Sequence, residues 1–301
     1  MRKCAFAKIN LFLDVTQKRK DGYHNISSVM QTLALCDDLL ISLDSGEENE
    51  PSDSPDSVRS VRLDINIPDL PGDDSNLVTR GAKAIMEEYN ITRSVNIELF
   101  KRIPMGAGLG GGSSDCAAVL HGMNELFSLG IPLHRLIEIG KALGADVPFC
   151  LMGGAALAGG IGEELTPLPL HPECYVILLC PELHVSTAEI FGRISPFQYN
   201  SLDLDKFMDA YNSGDLSRIA ANICNVFTEI TGSVHNEINE LMDELMNQGA
   251  LGASMTGTGS AVFGYFSDAV CAGSAYEQLK RVKRKFKTQV FLTQTENTRK
   301  G

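Results

Sequence analysis

The sequence predicts an α+β fold in two domains, residues 1–165 and 166–301. Two observations predict it. Segments of period two and segments of period 3.6 are interspersed along the chain, without the regular βαβ alternation of a doubly wound parallel sheet. At 301 residues the chain is also long enough for two cores or one large one.

The elements follow in order. Ala7, Ile9, Leu11, Leu13 and Val15 alternate with Phe6, Lys8, Asn10, Phe12 and Asp14, so a strand over 5–15 sets Lys8 and Asn10 side by side on one face. A polar turn over 17–23 pivots on Asp21-Gly22. A second strand over 29–43 precedes an acidic, Ser- and Pro-rich excursion at 45–60, which reads as a mobile surface segment. Val61, Leu63, Ile65 and Ile67 alternate as a third strand. Residues 75–89 carry Leu77, Val78, Ala82, Ile85 and Met86 at helical spacing. The strand at 95–100 runs straight into a glycine-rich loop at 104–115, and Cys116, Val119, Leu120, Met123 and Phe127 then mark a helix. Another helix covers 133–143 and ends at Gly144. The second half reads as a buried strand at 175–180, helices over 204–228, a helix over 234–247 and a turn at 256–260. A strand to Phe266, a helix with a basic end and a strand at 289–293 complete it.

With 26 Lys+Arg against 38 Asp+Glu, the net charge of −12 disfavours a nucleic-acid partner. No apolar run has membrane length, and the eight cysteines form no Cys-x-x-Cys pair; both point to a cytoplasmic protein with reduced thiols. The basic run 280–287 reads as a solvated helix face.

The loop Pro104-Met-Gly-Ala-Gly-Leu-Gly-Gly-Gly-Ser-Ser-Asp115 is the informative segment. Glycines let backbone approach a phosphate, and the free amides of a helix start point at it with the helix dipole behind them. Ser113 and Ser114 are placed to cap the helix or donate to phosphate oxygens, and Asp115 to cap the helix or approach a metal. The P-loop pattern is absent: Gly140-Lys141 has Arg135 where the first glycine belongs. Gly106, Gly108 and Gly111 match Gly-x-Gly-x-x-Gly, but the run continues as Gly-Ser-Ser-Asp, unlike a dinucleotide fingerprint.

Residues 104–114 resemble the second motif of the GHMP kinases. Ala7-Lys8-Ile9-Asn10-Leu11, Asp21-Gly22-Tyr23-His24, Gly144-Ala145-Asp146-Val147-Pro148-Phe149 and the turn 255–263 extend the similarity along nearly the whole chain. They are similar to the branch of that family acting in non-mevalonate isoprenoid synthesis. The resemblance implies a two-domain GHMP-kinase-like fold with the active site in the cleft between domains. It also implies ATP and Mg2+ as cofactors and a small-molecule substrate carrying a cytidine diphosphate group, 4-diphosphocytidyl-2-C-methyl-D-erythritol, phosphorylated on its 2-hydroxyl. The protein would act as a monomer or homodimer. Alternatives are a GHMP kinase acting on another small alcohol and a non-catalytic nucleotide-binding protein of the same fold.

Carried over by the resemblance, Lys8 and Asp146 are the catalytic pair: a carboxylate to accept or orient the hydroxyl proton and an ammonium beside it. Taken by itself, Gly-Ala-Asp-Val-Pro reads Asp146 as a capping residue at a helix exit. Asn76, Lys101, Met105, Gly106, Gly108, Leu109, Gly110, Gly111, Gly112, Ser113 and Ser114 are implied on the nucleotide, Asn76 serving equally as an N-cap. Asn10, Tyr23, His24, Thr187, Phe191, Gly257 and Thr258 are implied on the substrate, with His24 reading the cytosine edge and Tyr23 and Phe191 stacking on its faces. The turn at 257–259 is otherwise an ordinary hairpin turn. Thr256 and Thr258 stand where the family usually has serines, which keeps the hydroxyls. The sequence identifies no metal ligands.

Overall fold

In the computed structural model of the protein, residues 1–44 and 60–298 are described. The acidic stretch expected to be mobile lies, from 45 to 59, outside them. The elements are β1 (Arg2–Lys18), β2 (His24–Leu43), β3 (Val61–Ile65), α1 (Leu77–Glu88), β4 (Val95–Phe100), α2 (Gly111–Leu126), α3 (Leu133–Leu143), α4 (Val147–Met152), β5 (Ala155–Gly159) and β6 (Glu164–Pro167). They continue with β7 (Tyr175–Pro181), α5 (Thr187–Arg193), α6 (Leu204–Asn212), α7 (Leu216–Ala220), β8 (Cys224–Asn225), α8 (Phe227–Val234), α9 (Glu237–Asn247), β9 (Gly252–Met255), β10 (Val262–Phe266), α10 (Ala269–Arg281) and β11 (Thr288–Gln294).

Two sheets organise these elements, which is the α+β class that the mixed periodicities predict. The first has the order β3-β4-β2-β1-β8, with β5 on β2 and β6 on β5; the second has the order β11-β7-β10-β9 and is antiparallel throughout. The first sheet is mixed, because β3 runs parallel to β4 and β8 parallel to β1. Strand β1 lies between β2 and the short β8 and is buried on both faces from Ala7 to Val15. The alternation at 5–15 therefore does not divide a core face from a wet face. One cluster fills the space between the first sheet and α1–α3, another lies beyond the second sheet under α8–α10, and a third spans both sheets through Ile9, Leu11, Val176, Leu178 and Phe263.

Several boundaries differ from those the sequence predicts, each for a local reason. The second strand starts at His24, five residues early, because the 19–23 turn closes a single long hairpin of β1 and β2. The stretch 204–228 breaks into α6, α7 and β8, with Asp203 and Asp215 each capping a new start. Val234 ends α8 instead of opening the next helix, since His235 leaves helical geometry before α9 begins. Cys271 is exposed, unlike the buried thiols of Cys116, Cys174 and Cys180, which burial pushes upward. The junction between 165 and 166 falls within β6.

Candidate active site

β4 delivers the chain to Lys101, and the loop then turns into α2 with Gly110 as its N-cap at φ +70. Gly108, at φ +78, is required twice over: a Cβ there would lie 2.4 Å from the Thr256 carbonyl oxygen. A Cβ on Gly110 would meet Lys8 Cγ at 2.9 Å. The glycines thus admit the 256–260 turn and the stem of Lys8 as well as a phosphate. Loop carbonyls are engaged inward: Leu109 O accepts from Lys8 N at 3.0 Å, and Ala107 O from Ala261 N at 3.1 Å. On the outer side a cavity of about 420 Å³ is lined by Leu70, Asn76, Met105, Gly106, Gly111 and Ser113, among others. It opens at the start of the 16-residue helix α2, where unsatisfied amides and the dipole favour an anion.

The two serines separate. Ser113 lines the cavity, whereas Ser114 is buried and donates its hydroxyl to Phe6 O. Leu109 is buried in the core, so only its backbone belongs to the loop surface. Asn76 lines the cavity and also caps α1, accepting from Val78 N at 3.0 Å and donating to Pro71 O at 2.8 Å.

The ammonium of Lys101 is held between two buried carboxylates, Asp37 and Asp115, the latter at 2.7 Å. Burial works against the charged ammonium, but Asp115 and Asp37 together raise its pKa above the ordinary lysine value. Burial also holds the Asp115 carboxyl above its usual range despite Lys101. Asp115 therefore makes no capping bond to α2; it pairs with Lys101 at the wall of the cavity. Asp37 further accepts from Ile103 N at 2.8 Å and so fixes the exit of β4 into the loop. Sequence reading missed Asp37, whose partners lie in other elements and which nothing local separates from its neighbour Asp38.

Lys8 and Asp146, far apart in sequence, come together: Lys8 Nζ lies 3.6 Å from Asp146 Oδ2. Lys8 is 4% exposed, and the Asp146 side chain 33%. Asp146 occupies the N-cap position of α4, yet its side chain makes no capping bond, so the carboxylate is free to face Lys8. Asn10 Oδ1 accepts from Lys8 Nζ at 2.9 Å and from Gly257 N at 3.0 Å, while Asn10 Nδ2 donates to Ser28 Oγ at 2.8 Å. The Thr256 hydroxyl lies within donating distance of both Asn10 Oδ1 and Gly108 O, at 3.2 Å each, and accepts from Asn10 N at 3.1 Å. Across the cleft, the hydroxyls of Thr187 and Thr258 are 3.1 Å apart.

An aromatic recess lies beside this pair. His24 is buried, with Phe191 at 5.4 Å and tilted and Tyr199 at 6.1 Å and edge-on. Burial, helped by the charge of Lys18, lowers the pKa of His24, so the neutral ring offers one N–H donor and one acceptor. Tyr23 is 62% exposed and stands outside the His24 ring contacts. Sequence reading missed Tyr199. The Ser195-x-x-Gln198 capping box just ahead of it was the available signal for an ordered turn there.

The N-terminal model of the GHMP kinases matches residues 76–154, and the C-terminal model matches 207–285. The chain is 38% identical over 97% of its length to a 4-diphosphocytidyl-2-C-methyl-D-erythritol kinase of Acetivibrio thermocellus, covering 97% of that protein. It is 40% identical to the protein of that name from Alkaliphilus oremlandii, over 97% of this chain and 95% of the relative. A crystal structure of 4-(cytidine 5'-diphospho)-2C-methyl-D-erythritol kinase superposes with TM-score 0.80 at 30% identity, over 98% of this chain and 99% of that one. A homoserine kinase from Cytophaga hutchinsonii shares the fold, with TM-score 0.75 at 17% identity over 99% of this chain and 95% of that one. With both halves of the family matched and near-full-length relatives at this identity, the chain belongs to the GHMP kinase family of ATP-dependent small-molecule kinases.

Proposed function

We propose that this protein transfers the γ-phosphate of ATP to the 2-hydroxyl of 4-diphosphocytidyl-2-C-methyl-D-erythritol, in the cytoplasm. The observation that carries this reading is the Lys8–Asp146 pair, with the stem of Lys8 packed against Gly110 of the glycine loop. The nucleotide lies on residues 1–165, with its phosphates at the first turn of α2, and residues 166–301 close the cleft through the 256–260 turn. Phosphoryl transfer is governed by positioning and charge. Asp146 accepts or orients the proton of the attacking hydroxyl, Lys8 faces that carboxylate and offsets charge on the transferring group, and α2 steadies the phosphates.

The cytidine end falls to the recess. Neutral His24 offers the donor and acceptor that a cytosine edge requires, Phe191 supplies one apolar face, and Tyr23 swings from solvent to cover the other. A Mg2+ held on the nucleotide phosphates would need only one or two protein oxygens, and Ser113, which lines the cavity at the start of α2, would supply one of them. The Mg2+ would screen phosphate charge.

The test is a coupled ADP-release assay with the cytidine substrate, and with mevalonate and homoserine as competitors. Turnover confined to the cytidine substrate, giving a 2-phosphate, is expected. Preferred turnover of either competitor overturns the substrate assignment.

A further inference from the structure

The 256–260 turn is held from beneath by a residue of no assigned role. Asn225, in the two-residue strand β8, donates through Nδ2 to Met255 O and to Gly257 O, both at 2.8 Å. Its Oδ1 accepts from Phe227 N at 2.9 Å. Both N–H donors and the oxygen of this buried amide group are thereby used, and the two donors grip the carbonyls on either side of Thr256. Asn225 is itself fixed to the strand that carries the catalytic lysine. It pairs with Leu13 of β1, and Val226 N donates to Leu13 O at 2.9 Å.

The far side of the same residue leads to the reacting groups. Gly257, whose carbonyl Asn225 holds, donates its N–H to Asn10 Oδ1, which also accepts from Lys8 Nζ, and Lys8 faces Asp146. The turn needs this hold, because Gly257 and Gly259 have φ of +60 and +99 and a backbone with that freedom does not fix itself.

We propose that Asn225 is a positioning residue for phosphoryl transfer. By locking Gly257 against Asn10 it keeps the Asn10 carbonyl oxygen aimed at Lys8, and so holds the Lys8 ammonium at Asp146. This rests on the kinase reading above and adds a residue to it. Thr231 braces the same turn from α8 by donating to Thr258 O at 3.2 Å, but it does so past the Asn10 contact. It is therefore the natural control.

The test is a double-mutant cycle on kcat with saturating ATP and the cytidine substrate. Asn225→Asp keeps size and the acceptor for Phe227 N, but sets a carboxylate against two carbonyl oxygens. It is expected to lower kcat by about 10- to 100-fold, the scale of a misplacement near 1 Å. In an Asn10→Ala background the same substitution is expected to change kcat by less than about twofold, because the link it acts through is already cut. Thr231→Val is expected to show equal, small effects in both backgrounds. Asn225→Ser, with one donor left, replaces Asn225→Asp if the latter does not fold, and Asn10→Ser replaces Asn10→Ala if that is too slow to assay. Multiplicative effects of Asn225 and Asn10, or a kcat unaffected by either Asn225 variant, overturn the proposal. The unsubstituted protein, run alongside, reports separately on the substrate assignment, since its failure to turn over the cytidine substrate would sink that reading alone.

Discussion

Replacing Gly108 by alanine tests how tightly the glycine loop and the 256–260 turn are fitted, and Gly106 supplies its control. Both residues sit at positive φ, +78 and +65, so either alanine incurs the left-handed penalty of about 1–2 kcal/mol. They differ in surroundings. Nothing lies within 4 Å of a Cβ at Gly106, whereas at Gly108 it would stand 2.4 Å from Thr256 O and 3.2 Å from Gly259 O. Ordinary Cβ contacts begin near 3.4 Å, so the turn must retreat by about 1 Å, taking Gly257 away from Asn10. A displacement of that size at a reacting centre is worth on the order of 100-fold in rate. Gly108→Ala should therefore lower kcat by about 100-fold and Gly106→Ala by less than about tenfold, and the thermal midpoint of Gly108→Ala should fall further, since it adds the clash to the shared backbone penalty. Steady-state kinetics and melting curves on both variants decide it. If the two lose kcat equally, the close approach has no catalytic consequence and the reasoning fails.

Further expectations concern the reacting pair, the recess and the core. Asp146→Asn should reduce turnover by at least ~100-fold while ATP still binds by calorimetry, and undiminished turnover would remove Asp146 from the mechanism. His24→Ala should raise KM for the cytidine substrate more than KM for ATP; equal rises would place His24 elsewhere. Burial lowers the pKa of His171 to about 4, and its Nε2 lies 3.4 Å from the Tyr265 hydroxyl. The native state then binds fewer protons than the unfolded chain between pH 6.5 and about 4. Stability from this group is complete above 6.5 and declines by roughly 3 kcal/mol as pH falls through that window. Urea unfolding at pH 7 and 4.5 should show a shallower decline for His171→Gln than for the unsubstituted protein, and identical declines would refute the assignment.

The parts of this molecule that read clearly from sequence are those whose signal is local. The helix starting after Gly110 and the strand before it were visible because the period changes across a glycine run. Asn76 capping α1 was legible for the same reason. Residues whose role depends on distant partners were not. The alternation of β1 placed Lys8 beside Asn10, but not that both lie buried under a turn between two strands of the second sheet, far away in sequence. Asp146 looked like a cap because its neighbours are Gly and Pro; its freedom from capping shows only when Lys8 is opposite. Asp37, one of an Asp37-Asp38 pair, and Asn225, a single polar residue among apolar neighbours, gave no sign of their roles, because their partners lie in other elements.

The third hydrophobic cluster limits how the cleft can move. Strand β8 belongs to the C-terminal half by sequence and to the first sheet by hydrogen bonding, Leu33 bridges to Thr295, and buried side chains of both sheets interlock. A hinge swinging one half away from the other would have to break a strand ladder and open a sealed apolar seam at once. Rigid-body gaping is thus the expensive motion, and sliding of surface segments the cheap one. Admission of two bulky nucleotide-bearing molecules then falls to groups already standing in solvent, among them Tyr23 and Met105, 62% and 55% exposed.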